Sequence, residues 1–208
     1  MRRKITTEKE INNQPVRADQ GYPVIENIIH GMQAQLEYMK RYKQVLYSSC
    51  VVKYPENSKP VKPTGDISAV MRKVHQRAHR EQIEIATVWT MEQKSSETPH
   101  FNVIFWANGK KTKSGFRTHK WLKEIWARHV GVDVAHSPVH LNKNDPKFFP
   151  PAAEIGVKPA HQIRIRVGTD NEKIMSDNAI NAASYDAKRH TKENLSGRTY
   201  GLSRIPKK

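Results

Sequence analysis

Two apolar runs flank one short polar loop near the middle of the chain, and this arrangement constrains the fold more than any other feature. The runs are Ile83–Glu92 and His100–Ala107, and Gln93–Pro99 separates them. Both are rich in β-branched and aromatic residues, so they read as strands of one hairpin. In the second run Phe101, Val103 and Phe105 alternate onto one face and fit a core, while His100 and Asn102 fall on the other. Pairing symmetric about Ser96 sets Glu92 opposite His100 and Thr90 opposite Asn102. Opposite residues share a face with Cβ atoms roughly 4.5–5.5 Å apart, so a carboxylate, an imidazole and an amide converge on one patch. A slip of one residue removes Glu92 from it.

The rest of the chain supplies helices and further strands. Apolar groups at Ile25, Ile28, Ile29, Met32, Leu36 and Met39 predict an amphipathic helix over 24–43. A β-rich run covers 45–54, and Pro55, Pro60, Pro63 and Gly65 punctuate a loop. Thr64, Gly65 and Asp66 open a second helix over 66–82, with Arg72, Lys73, His75, Arg77, His79 and Arg80 on its exposed side. A third helix spans 117–130 around Trp121, Leu122, Ile125 and Trp126. Residues 131–160 are rich in Pro, Asn and Asp, with a short strand at Val139–Leu141. Strict alternation over Ile163–Val167 marks a half-buried strand with Arg164 and Arg166 outward, and a last helix covers 177–192. Strands and helices without a regular βαβ rhythm predict an α+β fold, a central antiparallel sheet flanked by helices. Residues 1–22 read as a flexible polar arm and 23–205 as one domain with a basic tail to Lys208.

Charge narrows the partners. Lys and Arg total 36 against 20 Asp and Glu, a formal net charge of +16, and such a field attracts polyanions. Arg72, Lys73, Arg77, Arg80, Arg164, Arg166, Arg189, Lys192, Arg198 and Arg204 are the candidate nucleic-acid contacts. The single cysteine, Cys50, excludes a disulfide within the chain and reads as a buried small hydrophobe. Nothing resembles a secretory core or a membrane span, so a reducing cytoplasm is the expected compartment and no membrane partner is expected. Nothing in the residues speaks to the oligomeric state.

Two constellations carry chemistry. The Glu92, His100 and Asn102 patch offers oxygen and imidazole donors suited to Mg²⁺ or Mn²⁺, which would polarise a phosphoryl oxygen. Alternatively, the same side chains hydrogen-bond to their neighbours on a sheet surface. Near the C-terminus, Tyr185 and Lys188 stand three apart on the last helix and are surface neighbours there. A tyrosine hydroxyl can attack a phosphodiester, and a nearby ammonium group assists. The alternative is a tyrosine packed on the sheet. Tyr200, in Gly197–Gly201, sits in a loop context suited to recognition.

The segments Trp89-Thr90-Met91-Glu92-Gln93, Pro99-His100-Phe101-Asn102-Val103-Ile104-Phe105 and Asn108-Gly109 resemble the inovirus-type replication-protein family, also met as a prophage domain. Ala183-Ser184-Tyr185-Asp186-Ala187-Lys188, Thr191-Lys192 and Arg198-Thr199-Tyr200-Gly201-Leu202-Ser203-Arg204 are similar to that family's ending, so the resemblance spans roughly 40–205. It implies an HUH endonuclease, a nicking enzyme of rolling-circle replication in a phage, prophage or satellite element of a bacterial host. By that likeness His100 is a metal histidine, Glu92 an accessory ligand, Tyr185 the nucleophile and Lys188 its helper, and the substrate is single-stranded or hairpin origin DNA. One departure is plain: Asn102 stands where the family has a second histidine, which weakens a metal site and leaves two readings. One is an active nickase; the other is a non-catalytic module that binds DNA or a protein partner. A basic RNA-binding protein is a third.

Overall fold

The structure is a computed structural model, and it describes residues 4–18, 23–93, 98–189, 192, 195 and 198–206. Lys94–Glu97 of the hairpin loop, Thr191, Gly197, the Lys207-Lys208 end of the tail and parts of the N-terminal arm lie outside these residues. In chain order the elements are β1 (Ile5–Thr6), β2 (Glu10–Ile11), β3 (Gln14–Pro15), β4 (Val24–Ile25), α1 (Glu26–Lys40), β5 (Gln44–Val52) and α2 (Pro63–Arg80). There follow β6 (Ile85–Glu92), β7 (His100–Asn108), α3 (Phe116–Val130), β8 (Val139–Leu141), α4 (Pro150–Glu154), β9 (Gln162–Arg166), α5 (Glu172–Ser184) and β10 (Tyr200–Leu202).

The fold is α+β, built on a six-stranded sheet in the order β10-β6-β7-β5-β8, with β9 also pairing β5; every pairing is antiparallel. β7 lies at its centre, and the run Phe101–Ala107 is apolar at every position but Asn102 because both faces of a central strand are covered. On one face α1 and α5 pack over Tyr47, Val88, Ile104, Trp106, Ile163 and Ile165. On the other, α2 and α3, the latter through Leu122, Ile125 and Trp126, pack over Cys50, Trp89, Phe101, Val103 and Phe105. The sequence reading gave the His100 side of β7 no core. Ile104 and Trp106 correct that, since they continue the same face and are fully buried.

Helix ends follow local chemistry. Pro63 starts α2 at its first turn, where a missing N–H costs nothing. Gly131 ends α3 in the left-handed conformation, with φ 74°. The last helix lies earlier than expected. It begins at Glu172, whose side chain accepts the N–H of Gly168 at 2.7 Å, and it ends at Ser184, before a tight 3-10 turn over Tyr185–Ala187. The turn releases the chain to bridge back to β4, with Lys188 paired to Val24 and the Arg189 N–H donating to Pro23 O at 2.8 Å.

Two other expectations change. Residues 4–18 do not form a free arm: Ile11, Val16 and Ala18 are buried, Gln33 Nε2 donates to Ile11 O at 2.7 Å, and the Arg17 N–H donates to Ser184 Oγ at 2.8 Å. Tyr200 sits in an edge strand rather than a loop, because β10 closes the sheet against β6. That strand depends on Gly201, where a Cβ would lie 2.4 Å from the Trp89 indole. Gly201→Ala is therefore expected to cost about 1–3 kcal/mol by overpacking. Thermal unfolding checks this, with the midpoint falling by about 2–4 °C for each kcal/mol.

Candidate functional site

The β6–β7 register sets Glu92 opposite His100 and Thr90 opposite Asn102, as the symmetric hairpin requires. These side chains occupy the end of the α1/α5 face, beyond the Ile104 and Trp106 core. Helix α5 meets them there. Asn178, Asn181, Ala182 and Tyr185 follow at i, i+3, i+4 and i+7, a spacing that lines up one helical face. Together with Glu92, His100 and Asn102 they line a cavity of about 370 Å³. The polar segment after β8 forms the remaining wall through Asn142, Lys143, Asn144 and Asp145. That segment is anchored where Asn142 Nδ2 donates to Ser49 Oγ at 3.1 Å and where Asn144 and Ala160 exchange backbone hydrogen bonds at 2.7 and 2.9 Å.

The electrostatics centre on a buried ion pair. Lys192 is fully buried, and its ammonium lies 2.9 Å from Glu92 Oε1; His100 Nε2 lies 3.4 Å from Glu92 Oε2. Burial alone would raise the Glu92 pKa. The His100 hydrogen bond and the Lys192 charge outweigh it and hold the carboxyl at about 2. Burial lowers the Lys192 pKa. Asp186 is the opposite case: burial first, then the neighbouring Glu92 carboxylate, push it up to about 8. It is therefore a neutral acid at the cavity wall below that pH.

Tyr185 is 41% exposed and lies at the cavity. The Lys188 ammonium stands 3.0 Å from its ring centroid and the Arg17 guanidinium 4.8 Å, so two cations crowd the phenol. Arg17 also covers Phe148 at 4.1 Å. On the opposite wall, Asn144 Nδ2 is a buried donor with no hydrogen-bond partner among the described residues.

Glu92, His100, Asn102, Tyr185 and Lys188 are thus brought together. As arranged, they do not fit a divalent cation. Both oxygens of Glu92 are engaged, one by an ammonium group, and no group of three or more His, Cys, Asp or Glu suited to a metal occurs among the described residues. The Lys192 ammonium takes up Glu92 Oε1, an oxygen that the expected Mg²⁺ or Mn²⁺ would otherwise need.

The basic residues divide. Arg72, Lys73, Arg80, Arg166, Arg189, Arg198 and Arg204 are exposed. Three others are structural. Lys192 is the buried partner of Glu92. Arg77 pairs with Glu81 and Glu124, joining α2 to α3. Arg164 donates to the carbonyls of Gly109 and Lys113 at 2.8 and 2.9 Å. Sequence reasoning missed Arg17, Asp186, Asn142, Asn144, Asn178 and Asn181. Only the last two carried a usable signal, their helical spacing from Tyr185. No helix among the described residues is long and apolar enough to cross a membrane. Comparison of the chain with protein-family models, with curated proteins and with solved structures found no match.

Two stability outcomes follow from this geometry. Lys192→Met strands the buried Glu92 carboxylate and is expected to cost about 3–5 kcal/mol, while adding Glu92→Gln recovers most of it. Urea unfolding of both variants checks this. Asp186 holds its proton in the folded state up to about pH 8 and loses it near 3.8 when unfolded, so its contribution to stability declines as pH rises through that window. Asp186→Asn removes this component, and its unfolding free energy should vary less between pH 4 and 8 than that of the parent chain.

Proposed function

We propose that the protein binds single-stranded DNA and nicks it by transesterification to Tyr185, in the manner of a replication initiator of a phage, prophage or satellite element. One observation carries this reading: an acid, an imidazole, an amide and a partly exposed tyrosine, drawn from β6, β7 and the end of α5, line one cavity. The cavity favours a phosphodiester. Arg17 and Lys143 are on its wall, Lys188 stands over the tyrosine ring, and Asn144, also on the wall, has a buried amide donor with no partner among the described residues. Cationic and amide donors fixed around a phosphoryl group stabilise the charge that develops on its oxygens.

In the reaction the Tyr185 oxygen forms a bond to phosphorus and the bond to the 3′ oxygen breaks. The 5′ phosphate stays on the tyrosine. The phenolic proton must leave and the 3′ oxygen must gain one, and the imidazole of His100 on the cavity wall is suited to that relay. The reverse attack by the 3′ hydroxyl rejoins the strand. Lys192 holds Glu92 and, through it, orients the imidazole.

A second reading has its own support. Asn102 in place of a histidine, together with the ammonium group on Glu92, favours a module that binds DNA without cutting it. Incubation with a labelled single-stranded hairpin oligonucleotide, with Mn²⁺ or with a chelator, separates the two. The nicking reading expects a covalent adduct on a denaturing gel that Tyr185→Phe abolishes. Tight salt-sensitive binding with no adduct under either condition selects the binding module.

A further inference from the structure

A second and larger cavity, about 1540 Å³, opens where the C-terminal ends of α1 and α2 meet the start of β6 and the segment after β10. Small-ligand sites fall at roughly 300–1,000 Å³, so this space suits a stretch of polymer. Arg41, Arg72, Arg80 and Arg204 line it and are exposed. No carboxylate pairs with any of the four among the described residues. The one carboxylate on its described wall, Glu84, is held by Lys111 at 2.8 Å. The contrast with Arg77 is instructive: on the side of α2 that meets α3 an arginine has two acids, and on the trough side the arginines have none.

The wall is also aromatic. The Arg41 guanidinium lies 3.8 Å from the Tyr38 ring centroid and 4.7 Å from that of Tyr42, and it donates to both hydroxyls. A smaller cavity of about 230 Å³ shares Arg72, His75 and Ser203 with the trough and adds Trp89, with the Arg198 guanidinium 5.6 Å from the indole. Uncompensated arginines with interleaved aromatic planes therefore run from the end of α1 along α2 to β10.

We propose that this trough is a binding site for single-stranded nucleic acid, separate from the Tyr185 cavity. Phosphates are held by Arg72, Arg80 and Arg204, and unpaired bases stack on the Arg41–Tyr38–Tyr42 platform. An unpaired strand fits better than a duplex, because only unpaired bases offer their faces to guanidinium and phenol planes. The inference rests on the nucleic-acid-binding part of the proposed function and not on its nicking chemistry.

Fluorescence anisotropy of a labelled oligothymidylate against the full chain, across a salt series, tests it. Each phosphate contact on a single strand contributes about 0.7 to the slope of log affinity against log salt. The variant Arg72→Gln/Arg80→Gln/Arg204→Gln should lower that slope by about 2. Arg41→Gln should weaken binding by about 5- to 140-fold, the range for losing one stacked base. If the triple variant fails to fold, the exposed single change Arg80→Gln still reads out as a drop of about 0.7. Unchanged affinity and slope in these variants overturn the proposal. So does displacement of the strand by polyglutamate at equal charge concentration, which makes the trough a site for acidic polypeptide, or equal affinity for a duplex. Denaturing gels of the same mixtures report nicking separately: absence of the adduct with the arginine dependence intact removes the nicking reading alone.

Discussion

The register between β6 and β7 is the constraint on which the candidate site depends. Side chains alternate across a strand, so a slip by one residue would send Glu92 to the α2/α3 face and leave His100 without its partner. Three features hold the register. Both faces of β7 are buried, so a slip would drive Asn102 into the core of one face and Phe101 out of the other. β5 pairs with β7 over eight positions on its other side. β10 closes β6 through Gly201, the one residue type that can approach the Trp89 indole so closely. The polar residues at the start of β7 therefore share a face with a large apolar core without being able to exchange with it.

On that frame the charges are arranged unusually. A buried ion pair rarely adds net stability over an apolar substitute, since desolvation offsets most of the attraction. Here the pair does something an apolar pair could not: it keeps a carboxylate ionised at about 2, within reach of an imidazole, while the neighbouring Asp186 is left as a neutral acid. Two acids in one pocket are pushed to opposite protonation states. Such a split is common where proton transfer or anion binding takes place, because one group can accept while the other can donate.

Much of the fold was legible in the sequence, and the reasons are local. Apolar spacing at Ile28, Ile29, Met32, Leu36 and Met39 marked α1, and β-branched runs marked β5, β6, β7 and β9. The hairpin symmetry gave the pairing of Glu92 with His100 and of Thr90 with Asn102. Less was legible where partners lie far apart in the chain. Lys192 looked like one more surface cation, yet it is buried against a residue 100 positions earlier. Arg164 alternated outward as expected, but its guanidinium turns back to cap two backbone carbonyls. The N-terminal segment looked too polar to pack, yet Ile11, Val16 and Ala18 join the core and hydrogen bonds to Gln33 and Ser184 tie it to α1 and α5.

By itself, then, the sequence determined the elements, the hairpin register and the strongly positive field, because these depend on periodicity, nearest neighbours and a sum of charges. Only the tertiary structure decided that Tyr185 reaches the hairpin patch, that Arg17 and Lys192 join it, and that four arginines along one trough have no acid partner among the described residues. Those outcomes depend on which distant surfaces meet and on which charges lose water when they do, and no local pattern in a chain encodes either.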